Sequence, residues 1–384
     1  MKVEVTLETV TPLFLGGADP RGQPELRVPS LRGALRFWLR ALLAGSLGDD
    51  RLDALRERES AVFGSTKGAS NVELRIKPGD LHTVSFASLA EWNQATRNYT
   101  KPGISYLFFS ARRAGSGPER SAIAPASVIN LTVSTRANLV AGDNGSLQHA
   151  CAALWLLTRV GGLGARCRRG AGSLQITKAE GTPTELPSLI VQADTPTGLQ
   201  AELRDGLSRL RPLLDTAANF NRPAAFDILH PDICNIWVLD APFHSWSMAL
   251  DAIGRAMQQF RNRREPDYKN VKGAVQGGRL TQPVRRAAFG LPIVFYYKSL
   301  QRQGGTLEGE YHDRRASPLM VRITKLASGK FAIVLTLFQS ELLPPGEQLK
   351  IQQATADAPD LSLIDDFLRE LDNMVAPRLE VAGW

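Results

Sequence analysis

Apolar and polar residues alternate at the start of the chain. Val3, Val5, Leu7 and Thr9 fall on one face and Glu4, Thr6 and Glu8 on the other, the period-two signature of a half-buried strand. Thr11-Pro12 and Gly16-Gly17 end that run. The period then changes. Leu31, Leu35, Trp38, Leu39 and Leu42 recur at helical spacing after Pro29-Ser30, which predicts a helix with Ser30 at its N-cap and an apolar stripe along one side. Further strands are predicted at 72–77, 104–110 and 128–135, a second helix at 147–160 after the turn-forming run Asp143-Asn144-Gly145-Ser146, and a strand at 173–178.

The stretch 180–200 is rich in Pro and Thr and reads as a linker or edge excursion, followed by a basic helical segment at 200–214. The pattern then repeats: a strand at 234–240, a helix at 246–261, strands near 292–297, 319–326 and 331–339, an amphipathic helix at 361–375 with Leu363, Phe367, Leu371 and Met374 on one side, and a short strand at 378–381. Strand, helix, two or more strands, helix, strand is the split βαβ order. The predicted fold class is α+β, two tandem ferredoxin-like (βαββαβ) domains covering 1–185 and 186–384. A chain of 384 residues also exceeds what one hydrophobic core usually supports.

Charge changes the picture more by where it lies than by how much there is. Lys and Arg outnumber Asp and Glu by 46 to 38, a formal +8 that favours a polyanionic partner or an acidic protein surface. Between Arg97 and Arg169 stand Arg97, Lys101, Arg112, Arg113, Arg120, Arg136, Arg159, Arg166, Arg168 and Arg169 against only Glu119 and Asp143. Clusters of this kind suit phosphates better than an even scatter. The N-terminus lacks the apolar core of a signal peptide, and no apolar run reaches the 18 residues a membrane span needs. Three scattered cysteines, Cys151, Cys167 and Cys234, form neither a zinc spacing nor a disulfide framework, which points to the reducing cytoplasm and to a chain without metal or cofactor.

Three constellations carry candidate chemistry. Arg32, Arg36 and Arg40 lie at i, i+4 and i+8 on the first helix with no acid at matching positions, so their counter-charge must be phosphate or a carboxylate from another element or subunit. The run Gly161–Gly172, GGLGARCRRGAG, interleaves five glycines with Arg166, Arg168 and Arg169. Glycines such as Gly162 and Gly164 let backbone N–H groups approach phosphates, and arginine clamps phosphate bidentately. The loop follows a helix and precedes a strand, the reverse of the order a nucleotide-cofactor loop needs. A loop of this kind is expected to be exposed. The third constellation, Glu59 to Gly68, brings Phe63 and a Gly-Ser-Thr-Lys-Gly turn in which Lys67 offers one cation.

A chain with the GGLGARCRRGAG loop between its second helix and the following strand resembles the RAMP superfamily of CRISPR proteins. TPLFLGGAD after the first strand, ELRVPSLRGALRFWLRALL, ESAVFGS, and later AAFGLPIVFYY and RRASPLMVRI make it similar to one branch, the first subunit of type III-B (Cmr) effector complexes. The resemblance implies a single-copy subunit of an RNA-guided complex, near the 3′ end of the guide, that helps capture the guide–target duplex. Its partners would be guide RNA, target RNA and other RAMP subunits. By matching position, the implied contacts are Arg32, Arg36, Arg40, Lys67, Gly162, Gly164, Arg166, Arg168 and Arg169, with Arg314 and Arg315 as weaker candidates in the second half.

Some RAMP relatives cut RNA with a histidine or a loop aspartate. Of His82, His149, His230, His244 and His312, none stands on the first helix and none is expected next to an obvious acid–base partner, and Asp19-Pro20 with Gly22 is equally a turn sequence. The expectation is therefore a non-catalytic RNA-binding subunit. The competing readings are a RAMP endoribonuclease and a structural subunit whose basic face docks on an acidic neighbour. Tyr99, Tyr106, Tyr296 and Tyr297 lie near basic segments, and strand packing is the expected role for each.

Overall fold

A computed structural model describes residues 1–384 except 20, 113–117, 137–143, 215–217, 221, 263–264 and 302; Arg113 and Asp143 of the sequence reading lie outside the described residues. In chain order, the first half runs β1 (Lys2–Thr9), α1 (Val28–Leu47), α2 (Leu52–Phe63), β2 (Val72–Pro78), β3 (Thr83–Ser85), α3 (Phe86–Ala90), β4 (Trp92–Asn93), β5 (Asn98–Tyr99), α4 (Pro102–Leu107), β6 (Ser121–Ile123), β7 (Val128–Thr135), α5 (Asn144–Arg159) and β8 (Leu174–Glu180). The second runs α6 (Pro196–Leu210), β9 (Cys234–Leu239), α7 (Trp246–Asn262), α8 (Asp267–Val275), β10 (Ile293–Tyr296), β11 (Gly304–Gly309), β12 (Leu319–Lys325), β13 (Phe331–Phe338), β14 (Gln348–Ile351), β15 (Ala354–Asp357), α9 (Ser362–Met374) and β16 (Arg378–Glu380).

Two four-stranded antiparallel sheets, β2-β7-β1-β8 and β12-β13-β9-β16, form the centre of the molecule. In each, the strand first in sequence lies between the third and the fourth. The alternation read from β1 is what the sheet uses: Val3, Val5, Leu7 and Thr9 are all buried. The stripe Leu31, Leu35, Trp38, Leu39 and Leu42 of α1 is likewise buried, beside α5. The helix begins earlier than expected, with Arg27 at the N-cap instead of Ser30. Pro29 sits in the first turn, where its missing N–H has no helical partner to lose.

Four departures from the sequence reading matter. Residues 104–110 are not a strand: Pro102 opens the short helix α4, and a 3₁₀ turn follows at Phe109–Ala111. The apolar run ISYLFFS carries no period strong enough to resist that docking. Gly103 and Gly254 make the docking possible, since a Cβ on Gly103 would stand 2.1 Å from Asp251 O and one on Gly254 2.3 Å from Gly103 O. The backbones of α4 and α7 meet there directly. The helix α2 was not anticipated. The 180–200 excursion ends early, at Thr195, whose side chain accepts the Gly198 N–H at 3.1 Å and caps α6. Finally, β10 does not join the second central sheet but edges a separate one, β10-β11-β14-β15, over its own apolar cluster.

The two central sheets share one seam. Phe37 and Trp38 of α1 meet Phe338 of β13 at 6.3 and 6.2 Å between ring centroids. The buried Arg322 of β12 donates to Gly161 O, just past the C-terminal end of α5, at 2.7 Å and to Leu174 O at the start of β8, so a cation from one half satisfies carbonyls of the other.

Candidate nucleic-acid interface

The glycine-rich loop lies in this seam and is not the exposed flap the sequence suggested. Several of its backbone groups bind protein partners: Ala165 N donates to Phe14 O (2.8 Å), Gly172 N to Pro12 O (2.8 Å), Leu163 N to Gly172 O (2.9 Å), and Arg168 O accepts from Val321 N (3.2 Å). The glycines answer to packing. Gly164 has φ +83°, and a Cβ there would stand 2.4 Å from Phe14 O; one on Gly161 would stand 2.3 Å from the Trp38 indole. Only a residue without Cβ allows such approaches. Gly162, with neighbours at 3.1–3.3 Å, is nearly as confined. Close packing thus accounts for these glycines whether or not a phosphate approaches them.

The loop's three arginines part company. Arg168 reaches Asp227 (Nη2–Oδ2, 2.6 Å) and Ser317 O (2.6 Å), with its guanidinium over the Phe37 ring. Arg315 binds the other oxygen of the same carboxylate at 2.9 Å, together with Ser340 Oγ and Glu341 O. Asp227 is 5% exposed. Burial works to raise its pKa, but Arg168 and Arg315 outweigh burial and hold the carboxyl below its usual range. Both arginines are thus paired inside the fold with one shared carboxylate, which leaves the trio with a single net positive charge, so neither stands as the unpaired cation the sequence suggested. Arg314 is exposed beside them.

The α1 stripe finds its counter-charge in α2. Arg36 Nη1 and Arg40 Nε each lie 2.8 Å from Glu59, one on each carboxylate oxygen, and Arg36 also donates to the carbonyls of Phe63 and Gly64. Of the two sources open to the sequence, a carboxylate from another element is the one present. Arg32 is half-buried, and its Nε has no hydrogen-bond partner. Lys67 is exposed in the turn after α2, where its N–H donates to Ser65 Oγ at 3.1 Å. Arg40, Arg168 and Arg315 line one cavity of about 530 Å³ between α1, α2 and the second half, but Glu59 and Asp227 line it too.

On the other side of the loop the balance changes. A groove of about 860 Å³ runs between the 3₁₀ turn, α7 and the segment leading into β10. Arg166 Nε donates to Ser110 Oγ (2.8 Å), and Arg169 donates to Phe289 O (2.7 Å) and Met257 Sδ (3.4 Å). Arg169 and Arg261 both stand over the Phe289 ring, 6.0 and 5.7 Å from its centre. Among the described residues no carboxylate lies within 4 Å of Arg166, Arg169 or Arg261. Burial and the neighbouring Arg261 push Arg169 down to about 9, and burial lowers Arg166 as well. Arg169 remains a cation at neutral pH. Arg261 and Phe289 were missed by the sequence reading, although the run Arg261-Asn262-Arg263-Arg264 at the end of a predicted helix was a legible basic signal.

Other expectations fare variously. Tyr106 lies on α4, with its buried hydroxyl unpartnered, so it is not a strand residue; Tyr297 is buried and donates to Tyr268 O, while Tyr296 is 58% exposed. Asp19 accepts the Arg21 N–H at 2.9 Å in an exposed turn. The view that no histidine has an acid–base partner needs correcting, since His312 Nδ1 lies 2.6 Å from Glu347 Oε2, and His82 and His230 stand beside Asp80 and Asp232. Among the described residues no group of three or more His, Cys, Asp or Glu is arranged to hold a metal ion, and no helix is long and apolar enough to cross a membrane.

Residues 6–175 match the family model of the RAMP superfamily. A Pyrococcus furiosus protein named CRISPR system Cmr subunit Cmr1-2 is 33% identical over 174 residues, 44% of this chain and 92% of that relative. A second from the same organism, Cmr subunit Cmr1-1, is 26% identical over 346 residues, 89% of this chain and 88% of the relative. The crystal structure of Cmr1 from Pyrococcus furiosus (apo form) covers the whole of both chains with a TM-score of 0.65 at 20% identity. The cryo-EM structure of the Type III-B Cmr-beta bound to cognate target RNA contains a chain that matches with a TM-score of 0.58 at 12% identity, over 97% of this chain and 99% of that one. These two show a shared mixed α/β fold with antiparallel sheets. Together with the sequence identities, they mean that the chain belongs to the RAMP superfamily and, within it, to the family of Cmr1 subunits of type III-B CRISPR complexes.

Proposed function

We propose that this chain is a non-catalytic RNA-binding subunit of a Cmr ribonucleoprotein, built from two ferredoxin-like domains at 1–185 and 186–384. It binds guide and target RNA near the guide 3′ end through the basic groove and supports target capture in antiviral defence beside other RAMP subunits. The observation that carries the reading is the groove in which Arg166, Arg169 and Arg261 converge from both halves without a carboxylate. Uncompensated guanidiniums at close quarters repel one another, and a phosphate backbone is the counter-ion that resolves the repulsion while matching arginine's donor geometry. The chain's family and its fold-likeness to a subunit in a complex bound to cognate target RNA support the same partner. Recognition is of shape and backbone without strong sequence preference, since the groove offers mainly guanidiniums and ring faces.

The α1 arginines are secondary contacts in this reading. Arg36 and Arg40 are shared with Glu59, whereas Arg32, Lys67 and Arg314 have no carboxylate within 4 Å among the described residues and extend the basic surface. Non-catalysis is supported by Asp19, whose carboxylate closes a turn on the Arg21 N–H, and by a His312–Glu347 pair in which Glu347 also accepts the N–H groups of Tyr311 and His312.

Binding of the purified chain to single-stranded RNA tests the reading. Affinity should fall steeply with salt, by about 0.7 log unit per log unit for each phosphate neutralised, so roughly 2 for three arginines. Arg261→Glu should remove most of it. No affinity at low salt would leave the structural-docking reading in its place. Cleavage of guide or target RNA that Asp19→Ala or His312→Ala abolishes would overturn the non-catalytic assignment.

A further inference from the structure

The groove continues outward along a row of aromatic side chains. Phe109, at its mouth, is 62% exposed, and its neighbour Ser110 is the residue that anchors Arg166. The guanidinium of Arg112 lies over two rings, 5.8 Å from the centre of Phe109 and 5.1 Å from that of Tyr99. Tyr99 in turn meets Trp92 at 4.9 Å, and Trp92 is 41% exposed. Two large rings thus face solvent at the ends of a continuous ring–cation–ring–ring row that begins beside the arginine groove. The nearby carboxylate does not spoil it, because Glu91 is held by Lys101 Nζ at 2.6 Å and by Thr100 Oγ1 at 2.8 Å.

Exposed rings of this size cost free energy in water and are scarce on soluble surfaces as a connected row. The short β4–β5 ladder and the α4–α7 contact at Gly103 and Gly254 fix this row rigidly against α7, which carries Arg261. Phosphate-binding guanidiniums next to exposed aromatic faces are the combination that holds unpaired nucleotides, because every base has a π-face while a duplex keeps its faces stacked inside.

The geometry points to a single-stranded RNA track: successive backbone phosphates pass Arg166, Arg169 and Arg261, and the unpaired bases that follow stack on Phe109 and Trp92. It rests on the RNA-binding reading above and adds to it the strandedness of the RNA and the side chains that read it. The site discriminates single strand from duplex, not one base from another.

The test uses the full chain and a fluorescein-labelled oligouridylate of about ten nucleotides, within the usual range of single-strand sites, alone and annealed to its oligoadenylate complement. Phe109→Ala and Trp92→Ala should each weaken the single strand roughly tenfold, and Phe109→Tyr, which keeps the ring face, should restore binding. The duplex should not distinguish the alanine variants from the parent. Equal loss for single strand and duplex would overturn base stacking. Unchanged single-strand binding in both alanine variants, with Arg261→Glu still defective, would remove the track and leave the groove standing. Unchanged binding in Arg261→Glu as well would instead bring down the RNA-binding reading itself.

Discussion

Arg168 and Arg169 are adjacent in the chain and end in opposite surroundings. Arg168 meets the buried carboxylate of Asp227 at 2.6 Å, shared with Arg315, and this half-compensated pair holds residues from both halves together. Arg169 finds Phe289 O, Met257 Sδ and a ring face, with Arg261 over the same ring and no acid within reach among the described residues. A carbonyl and a π-face solvate a guanidinium without cancelling its charge. One loop thus supplies both a structural ion pair and an unsatisfied cation, and residue type alone does not say which is which. Charge accounting around each guanidinium does.

Breaking the paired side should have the largest effect. Asp227→Ala leaves Arg168 and Arg315 facing each other without their acid, and a loss of about 3–5 kcal/mol is expected in denaturant unfolding. The same carboxylate makes a pH prediction. Its folded pKa is depressed, so its contribution is complete above the unfolded value of about 3.9 and disappears as pH falls through the folded value. Melting temperature should therefore hold steady from neutral pH down to about 4 and drop below it, and Asp227→Asn, already destabilised, should lose that acid limb. Next in size, a double-mutant cycle of Arg168→Ala and Asp227→Ala should give a coupling of about 1–3 kcal/mol. Independence of the two would mean that Arg168 belongs functionally with Arg169.

On the unpaired side the expected effects invert. Arg166→Gln should change stability by less than about 1 kcal/mol while lowering the salt slope of RNA binding by about 0.7, measured by anisotropy across a salt series. A large fall in melting temperature would place Arg166 among the structural arginines. Among the carboxylates, Glu59→Gln should cost less than Asp227→Ala. Glu59 is itself buried, but Arg36 and Arg40 are partly solvated, their side chains 27% and 46% exposed, so water can take up much of the lost interaction and a cost of about 1 kcal/mol is expected in denaturant unfolding.

Much of the architecture was legible. The alternation of β1, the stripe of α1, and the placements of β7, α7, β13 and α9 follow from spacing over a few residues, and the buried positions agree. The failures share a cause. At 104–110 a run of apolar residues has no firm period, and a backbone contact between Gly103 and Gly254, some 150 positions away, makes it helical. The loop glycines suit a phosphate cradle and close protein packing alike, because glycine is permissive wherever backbone must come close. Whether the close partner is a ligand or Phe14 O is not written locally.

By itself, then, the sequence determined the main strands and helices of the two central sheets, their apolar faces, the family and the concentration of arginine around α5, because each is written in local runs of residues. Only the tertiary structure decided which arginines are free. Asp227 lies 59 positions from Arg168, Glu59 lies 19 from Arg40, and Arg261 stands 92 from Arg169. Coulomb energy depends on distance through space and on the water left between charges, and neither is fixed until both halves close on the seam.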